Sequence, residues 1–109
     1  MPGSCRVKYT VTNQWNTGFQ GDVVITNTGS AAVNGWALRW TFANGQVVNQ
    51  SWSSVYAQSG ANVTITNAAW NAAIGANGGT ASFGFLSSWS GSNPAPATFT
   101  LNGSVCTQG

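Results

Sequence analysis

Charge is what this sequence has least of. Only 4% of its 109 residues are charged: Arg6, Lys8 and Arg39 stand against one acid, Asp22, and there is no histidine. Each shortage excludes a chemistry. Glycoside hydrolysis ordinarily sets two carboxylates across the scissile bond, and a single acidic side chain cannot supply the pair. Ser-His-Asp and Cys-His nucleophilic machinery needs an imidazole. Metal sites draw on clusters of His, Cys, Asp or Glu, which one Asp and two Cys do not make. No catalytic residues, cofactor or metal are therefore expected. A net charge of +2 on scattered positions is too thin to track phosphates, so nucleic acid is not an expected partner. No run of about 18 apolar residues is present, so no membrane-spanning helix is expected and a membrane is not an expected partner.

What is present fits a single small globular domain. The chain is 42% hydrophobic and 12% aromatic, the reverse of a disordered composition, which has few aromatics and high net charge. Residues 1–4, Met1-Pro2-Gly3-Ser4, read as a linker remnant, leaving residues 5–109 as the domain.

Two cysteines, Cys5 and Cys106, frame the chain. A disulfide between them would close nearly the whole domain, worth about 4–5 kcal/mol in the chain-entropy account. It would also bring the two termini together and imply an oxidising, extracellular compartment. Two buried free thiols are the alternative.

Strand periodicity runs throughout. Cys5, Val7, Tyr9 and Val11 alternate with Arg6, Lys8, Thr10 and Thr12, a period of two with one face buried. Phe19 to Thr26 reads as a second strand. Trp36, Leu38, Trp40 and Phe42 point to one side, with Ala37, Arg39 and Thr41 to the other. Asn44-Gly45 is a two-residue hairpin signal, after which Gln46 to Tyr56 is expected to return as one strand. Val63 with Ile65, Phe83 with Phe85, and Phe99 with Leu101 mark further strands. Turn clusters separate these segments at Asn27-Thr28-Gly29, Gln58-Ser59-Gly60, Asn77-Gly78-Gly79, Ser90-Gly91-Ser92-Asn93-Pro94 and Asn102-Gly103. The expected fold is all-β: one antiparallel sandwich.

Six tryptophans are more than one small core needs. Trp36 and Trp40 share a strand face with Leu38 and Phe42 and are expected inside. Trp15, Trp52, Trp70 and Trp89 sit among Asn, Gln, Ser and Gly. Strict alternation cannot place Trp52: with Val47 inward it projects outward, and with Val48 inward it is buried. The others either cap the sandwich edge or stand exposed. Several exposed indoles on a nearly uncharged surface point to a partner. An indole offers a flat, rigid apolar face with an N–H at its rim. Surrounded by amides such as Asn13, Gln50 and Asn71, it suits a pyranose ring, apolar on its C–H faces and hydroxylated around its edge.

Over essentially all of Cys5 to Cys106 the chain resembles a family 2 carbohydrate-binding module of the cellulose-binding, type A kind, found in secreted bacterial polysaccharidases. The resemblance is carried by Asn13-Gln14-Trp15-Asn16-Thr17-Gly18-Phe19, Asn34-Gly35-Trp36, Gln50-Ser51-Trp52-Ser53-Ser54, Asn67-Ala68-Ala69-Trp70-Asn71, Gly79-Thr80-Ala81-Ser82-Phe83-Gly84-Phe85 and Leu101-Asn102-Gly103. It implies a jelly-roll-like β-sandwich. It also implies that Trp15, Trp52 and Trp70 form a flat exposed strip that stacks on crystalline cellulose, with Asn13 and Gln50 bonding sugar hydroxyls. Xylan-binding relatives tend to carry arginine three residues after the first surface Trp and to keep only two of the strip tryptophans. This chain has Gly18 at that position and keeps all three. Two departures stand out. Trp40 occupies a position where relatives usually have a smaller aromatic, and Trp89 lies in a Ser/Gly loop where no aromatic is expected. Trp89 either extends the strip, binds nothing or packs on a sheet edge.

The expected function is thus non-catalytic: a secreted, monomeric module that anchors a covalently linked glycoside hydrolase to cellulose. Chitin or xylan is the alternative ligand, and an extracellular protein-binding sandwich the alternative class.

Overall fold

A computed structural model of the chain describes residues 5–89, 96 and 98–108. Residues 1–4 and the turn cluster at 90–94 lie outside the described residues. Eleven strands and no helix occur among those described. They are β1 (Cys5–Gln14), β2 (Gly18–Asn27), β3 (Val33–Asn34), β4 (Ala37–Thr41), β5 (Val47–Trp52), β6 (Ser54–Ser59), β7 (Asn62–Asn67), β8 (Ala73–Ile74), β9 (Gly79–Ser88), β10 (Phe99–Leu101) and β11 (Ser104–Gln108).

The strand order is β5-β9-β2-β1-β11-β10-β4-β7-β6, with β3 and β8 pairing separately. Every pair in this order is antiparallel except β1 with β11. The ribbon folds over on itself into a sandwich, with β5-β9-β2-β1 as one layer and β10-β4-β7-β6 within the other. Alternation supplies the core from both sides. Phe19, Val23, Ile25, Phe83 and Phe85 enter from the first layer; Leu38, Trp40, Val63, Ile65 and Phe99 enter from the second. Trp40 bridges them, stacked on Phe83 at 6.4 Å and 8° and edge-on to Phe99 at 5.8 Å. Trp36 is buried as well and stacks on Phe83 at 5.7 Å. Both core expectations hold.

Cys5 and Cys106 are disulfide-bonded across 101 residues of chain. The bond ties β1 to β11 at the one parallel junction, so the two ends of the domain lie side by side.

Two expectations require correction. Asn44-Gly45 does not close a hairpin: β4 pairs with β7 and β10, whereas β5 pairs with β9. The turn, with Gly45 at φ 73°, instead carries the chain from one layer to the other. Gln46 to Tyr56 is likewise not one strand. Ser53 takes φ 59°, a left-handed conformation that breaks strand propagation. It sends β5 to one edge of the ribbon and β6 to the other. Gln58 clips the two edges together, its amide donating to Gln46 O at 2.9 Å and its carbonyl accepting from Val48 N at 2.8 Å.

Candidate functional site

The outer face of the β5-β9-β2-β1 layer carries Trp15, Trp52, Asn13 and Gln50. Register places them in rows. Gly18 pairs with Ser88 at one end; Asp22 pairs with Gly84, and Gly84 with Trp52, further along. Four residues of strand separate the rows, or about 13 Å at the usual rise per residue.

Trp52 is 37% exposed, and neither strict parity describes it. The ladder between β5 and β9 shifts register between Val48 and Gln50. This bulge at Asn49 lets Val48 point into the core and Trp52 point out of the same strand. The polar Asn49, which would face inward alongside Val47 in a regular strand, is the residue the bulge takes out of alternation.

Two glycines seat two rings. A Cβ on Gly84 would land on Cζ2, Cε2 and Nε1 of Trp52, so that indole lies against the bare backbone of β9. A Cβ on Gly18 would sit 2.8 Å from Trp15 Nε1 and 3.0 Å from its Cε2. Neither glycine has a positive φ; what requires them is the ring above. Trp15 itself occupies the turn between β1 and β2 and is 44% exposed.

Trp70, 75% exposed, stands in the turn between β7 and β8. That turn is held beside Trp52 through Asn71, whose amide donates to Ser53 O at 2.7 Å while its Oδ1 accepts from Ala68 N at 2.7 Å. The Asn71 carbonyl accepts from the buried Trp36 indole at 2.8 Å. Asn71 is therefore a structural tie, with its amide oxygen and nitrogen engaged inside the domain, and not one of the surface amides the sequence had offered.

Between the Trp15 and Trp52 rows runs a third. Asn13 pairs with Gln20, Gln20 with Leu86, and Leu86 with Gln50. All four project from the same outer face. Asn13 and Gln50 are both exposed, on the outer strands of the layer, and flank Gln20 and Leu86. Sequence reading missed Gln20 and Leu86 because only the register of four strands reveals the row.

Trp89 packs partly buried against the core. Its indole donates to Trp15 O at 2.8 Å and Gly18 O at 3.1 Å. Trp89 thus packs against the core at the end of β9, a strand flanked by β5 and β2.

This face is open. A hollow of about 300 Å³ beside Trp52 is lined by Asp22, Val24, Ser53 and Ser82. A larger one of about 620 Å³ lies on the second layer around Arg39, Thr64 and Thr100. Volume is a poor guide here, because flat indoles meet flat partners without enclosing them. No group of three or more potential metal ligands occurs among the described residues.

Fold and surface together describe a β-sandwich that offers aromatic rings on an open sheet face. Comparison with known proteins then identifies it. The family described as "Cellulose binding domain" matches residues 5–106, and the chain belongs to that family. It is 50% identical over 107 residues to Exoglucanase A of Cellulomonas fimi, covering 98% of this chain and 12% of that protein. It thus spans a small fraction of that relative's length. Among solved structures, the chitin-binding domain of Chi18aC from Streptomyces coelicolor superposes with TM-score 0.74 at 33% identity, covering 94% of each chain. The cellulose-binding family 2 carbohydrate-binding domain of ScLPMO10C gives TM-score 0.70 at 31% identity, covering 88% of this chain and 94% of that one. The chain is a non-catalytic carbohydrate-binding module of the kind joined to glycosidases.

Proposed function

We propose that this module binds the flat face of crystalline cellulose by stacking Trp15, Trp52 and Trp70 on pyranose rings spaced along its surface. Trp52 is the middle ring, with Trp15 about 13 Å away along the strands and Trp70 tethered on the other side through the Asn71–Ser53 bond. Asn13 and Gln50 bond sugar hydroxyls from either side of the path between Trp15 and Trp52. The observation that carries this reading is the seating of two exposed indoles on side-chain-free backbone of one open face. In the secreted parent protein the module holds a linked glycoside hydrolase at its insoluble substrate, raising the local concentration of the catalytic domain. The 50% identity to an exoglucanase and the terminal disulfide support that setting.

Chitin is the second reading, favoured by the 33% identity to a chitin-binding domain. Depletion of protein by insoluble polymer tests both. Trp15→Ala, Trp52→Ala and Trp70→Ala should each weaken adsorption to microcrystalline cellulose by about 1–3 kcal/mol, by analogy with aromatic stacking on nucleobases. Unchanged adsorption in all three folded variants would sink the strip. Tighter retention on chitin than on cellulose would transfer the same strip to the other polymer.

A further inference from the structure

Two of the six tryptophans belong to the core and three to the proposed strip; Trp89 belongs to neither set. Its surroundings give it a specific task. The indole N–H reaches the carbonyls of Trp15 (2.8 Å) and Gly18 (3.1 Å). Its backbone N–H reaches Thr17 O at 3.3 Å. Trp15 N in turn donates to Gly18 O at 2.9 Å, closing the turn on itself. Three of the four carbonyls from Trp15 to Gly18 therefore converge on one residue just past the end of β9.

Residues 15–17 lie between β1 and β2, outside the strand ladder. The ladder thus does not fix the peptide plane that carries the Trp15 ring. Trp89 does so from below, and its ring is packed against the hydrophobic core. The anchor is consequently stiffer than another surface side chain would be. Seen from the ligand side, Trp15 is held by Gly18 under its ring and by Trp89 under its backbone.

We infer that Trp89 is a positioning residue: its indole N–H pins the Trp15 turn and so sets the tilt at which the Trp15 ring meets a flat sugar surface. This rests on the reading of Trp15 as a ligand contact. The consequence is a specificity for order in the substrate. A crystalline face requires all rings in one plane, whereas a swollen, flexible chain can follow a tilted ring. Loss of the Trp89 N–H should therefore harm binding to the first more than to the second.

Trp89→Phe removes the N–H and keeps an aromatic ring; Trp89→His returns a ring N–H. Isotherms on microcrystalline and acid-swollen cellulose, with a thermal midpoint for each variant, read the effect. Trp89→Phe is expected to lower affinity for the crystalline polymer by roughly threefold to tenfold, the scale of one net hydrogen bond, and to change swollen-cellulose binding less. Trp89→His should recover part of the loss even if both variants melt earlier. In a Trp15→Ala background Trp89→Phe should cost nothing further, since coupled residues are non-additive. An equal loss from Trp89→Phe in both backgrounds, or no loss where Trp15→Ala alone weakens binding, would overturn the inference. Unchanged binding by Trp15→Ala itself would overturn it together with the strip, and is distinguishable for that reason.

Discussion

Adding a single methyl at Gly84 should damage binding while leaving the fold intact. Gly84 lies in β9 between Asp22 and Trp52 in register, and its φ is not in the left-handed region. Alanine is therefore not strained by the backbone, and it recovers roughly 0.5–1 kcal/mol of the penalty glycine carries inside a strand. The space its Cβ needs is filled by the six-membered edge and nitrogen of the Trp52 indole. The ring must withdraw to an ordinary carbon contact of about 3.5–4.0 Å, and it can do so only by rising from the sheet. A stacked ring is worth about 1–3 kcal/mol, a factor of roughly 5 to 150 in affinity. Tilting forfeits part of that and a bulkier side chain forfeits more. Gly84→Ala should thus weaken adsorption to microcrystalline cellulose by about fivefold, and Gly84→Val should approach Trp52→Ala. Adsorption isotherms give the affinity; thermal unfolding should shift by no more than about 4–8 °C, the scale of 1 kcal/mol in a domain of this size. Full adsorption by folded Gly84→Val, in a series where Trp52→Ala binds poorly, would refute the seating argument.

Trp36→Ala removes a buried ring stacked on Phe83 and frees the Asn71 carbonyl; urea unfolding should show a loss of about 3–5 kcal/mol. Replacing Cys5 and Cys106 by serine should cost about 4–5 kcal/mol, since the bond closes almost the entire chain; a loss under about 1 kcal/mol would contradict the entropic account. Burial holds the Tyr9 phenol protonated well above its ordinary range. The native state therefore binds the proton more tightly than the unfolded chain. Stability from this group is complete below about pH 10 and declines as pH rises beyond it. Tyr9→Phe should flatten that decline in urea titrations between about pH 9 and 12. It should cost little at neutral pH, because the hydroxyl has no hydrogen-bond partner among the described residues.

The two layers were legible because alternation is strict where one face is buried. The runs Cys5–Tyr9, Trp36–Phe42 and Val63–Ile65 all show it, and Leu38, Val63 and Ile65 fill the core as that pattern requires, whereas Val11, expected on the buried face of the first strand, is 37% exposed. Failures occurred where the chain leaves alternation. The bulge at Asn49 inverts parity within β5, and no periodicity can say on which side of an extra residue Trp52 falls. Ser53 breaks a strand without glycine or proline to announce it. Asn44-Gly45 has the composition of a hairpin turn, yet the partners of β4 and β5 lie in different layers, so long-range pairing overrode local turn chemistry. Within the candidate site the rings were visible as tryptophans in polar segments. Their glycine seats, the amide row through Gln20 and the brace at Trp89 depend on contacts between strands distant in sequence. They appear only once the register is known.

On the proposed function, flat aromatic stacking rather than charge attaches this module to an ordered polysaccharide. The most direct test is depletion of the protein from solution by microcrystalline cellulose, beside chitin and insoluble xylan, at low and high salt. With only 4% charged residues there is little for salt to screen. Loss of protein to cellulose that is unchanged by salt is the predicted result. Adsorption abolished by salt, or no adsorption to any of the three polymers, would contradict it.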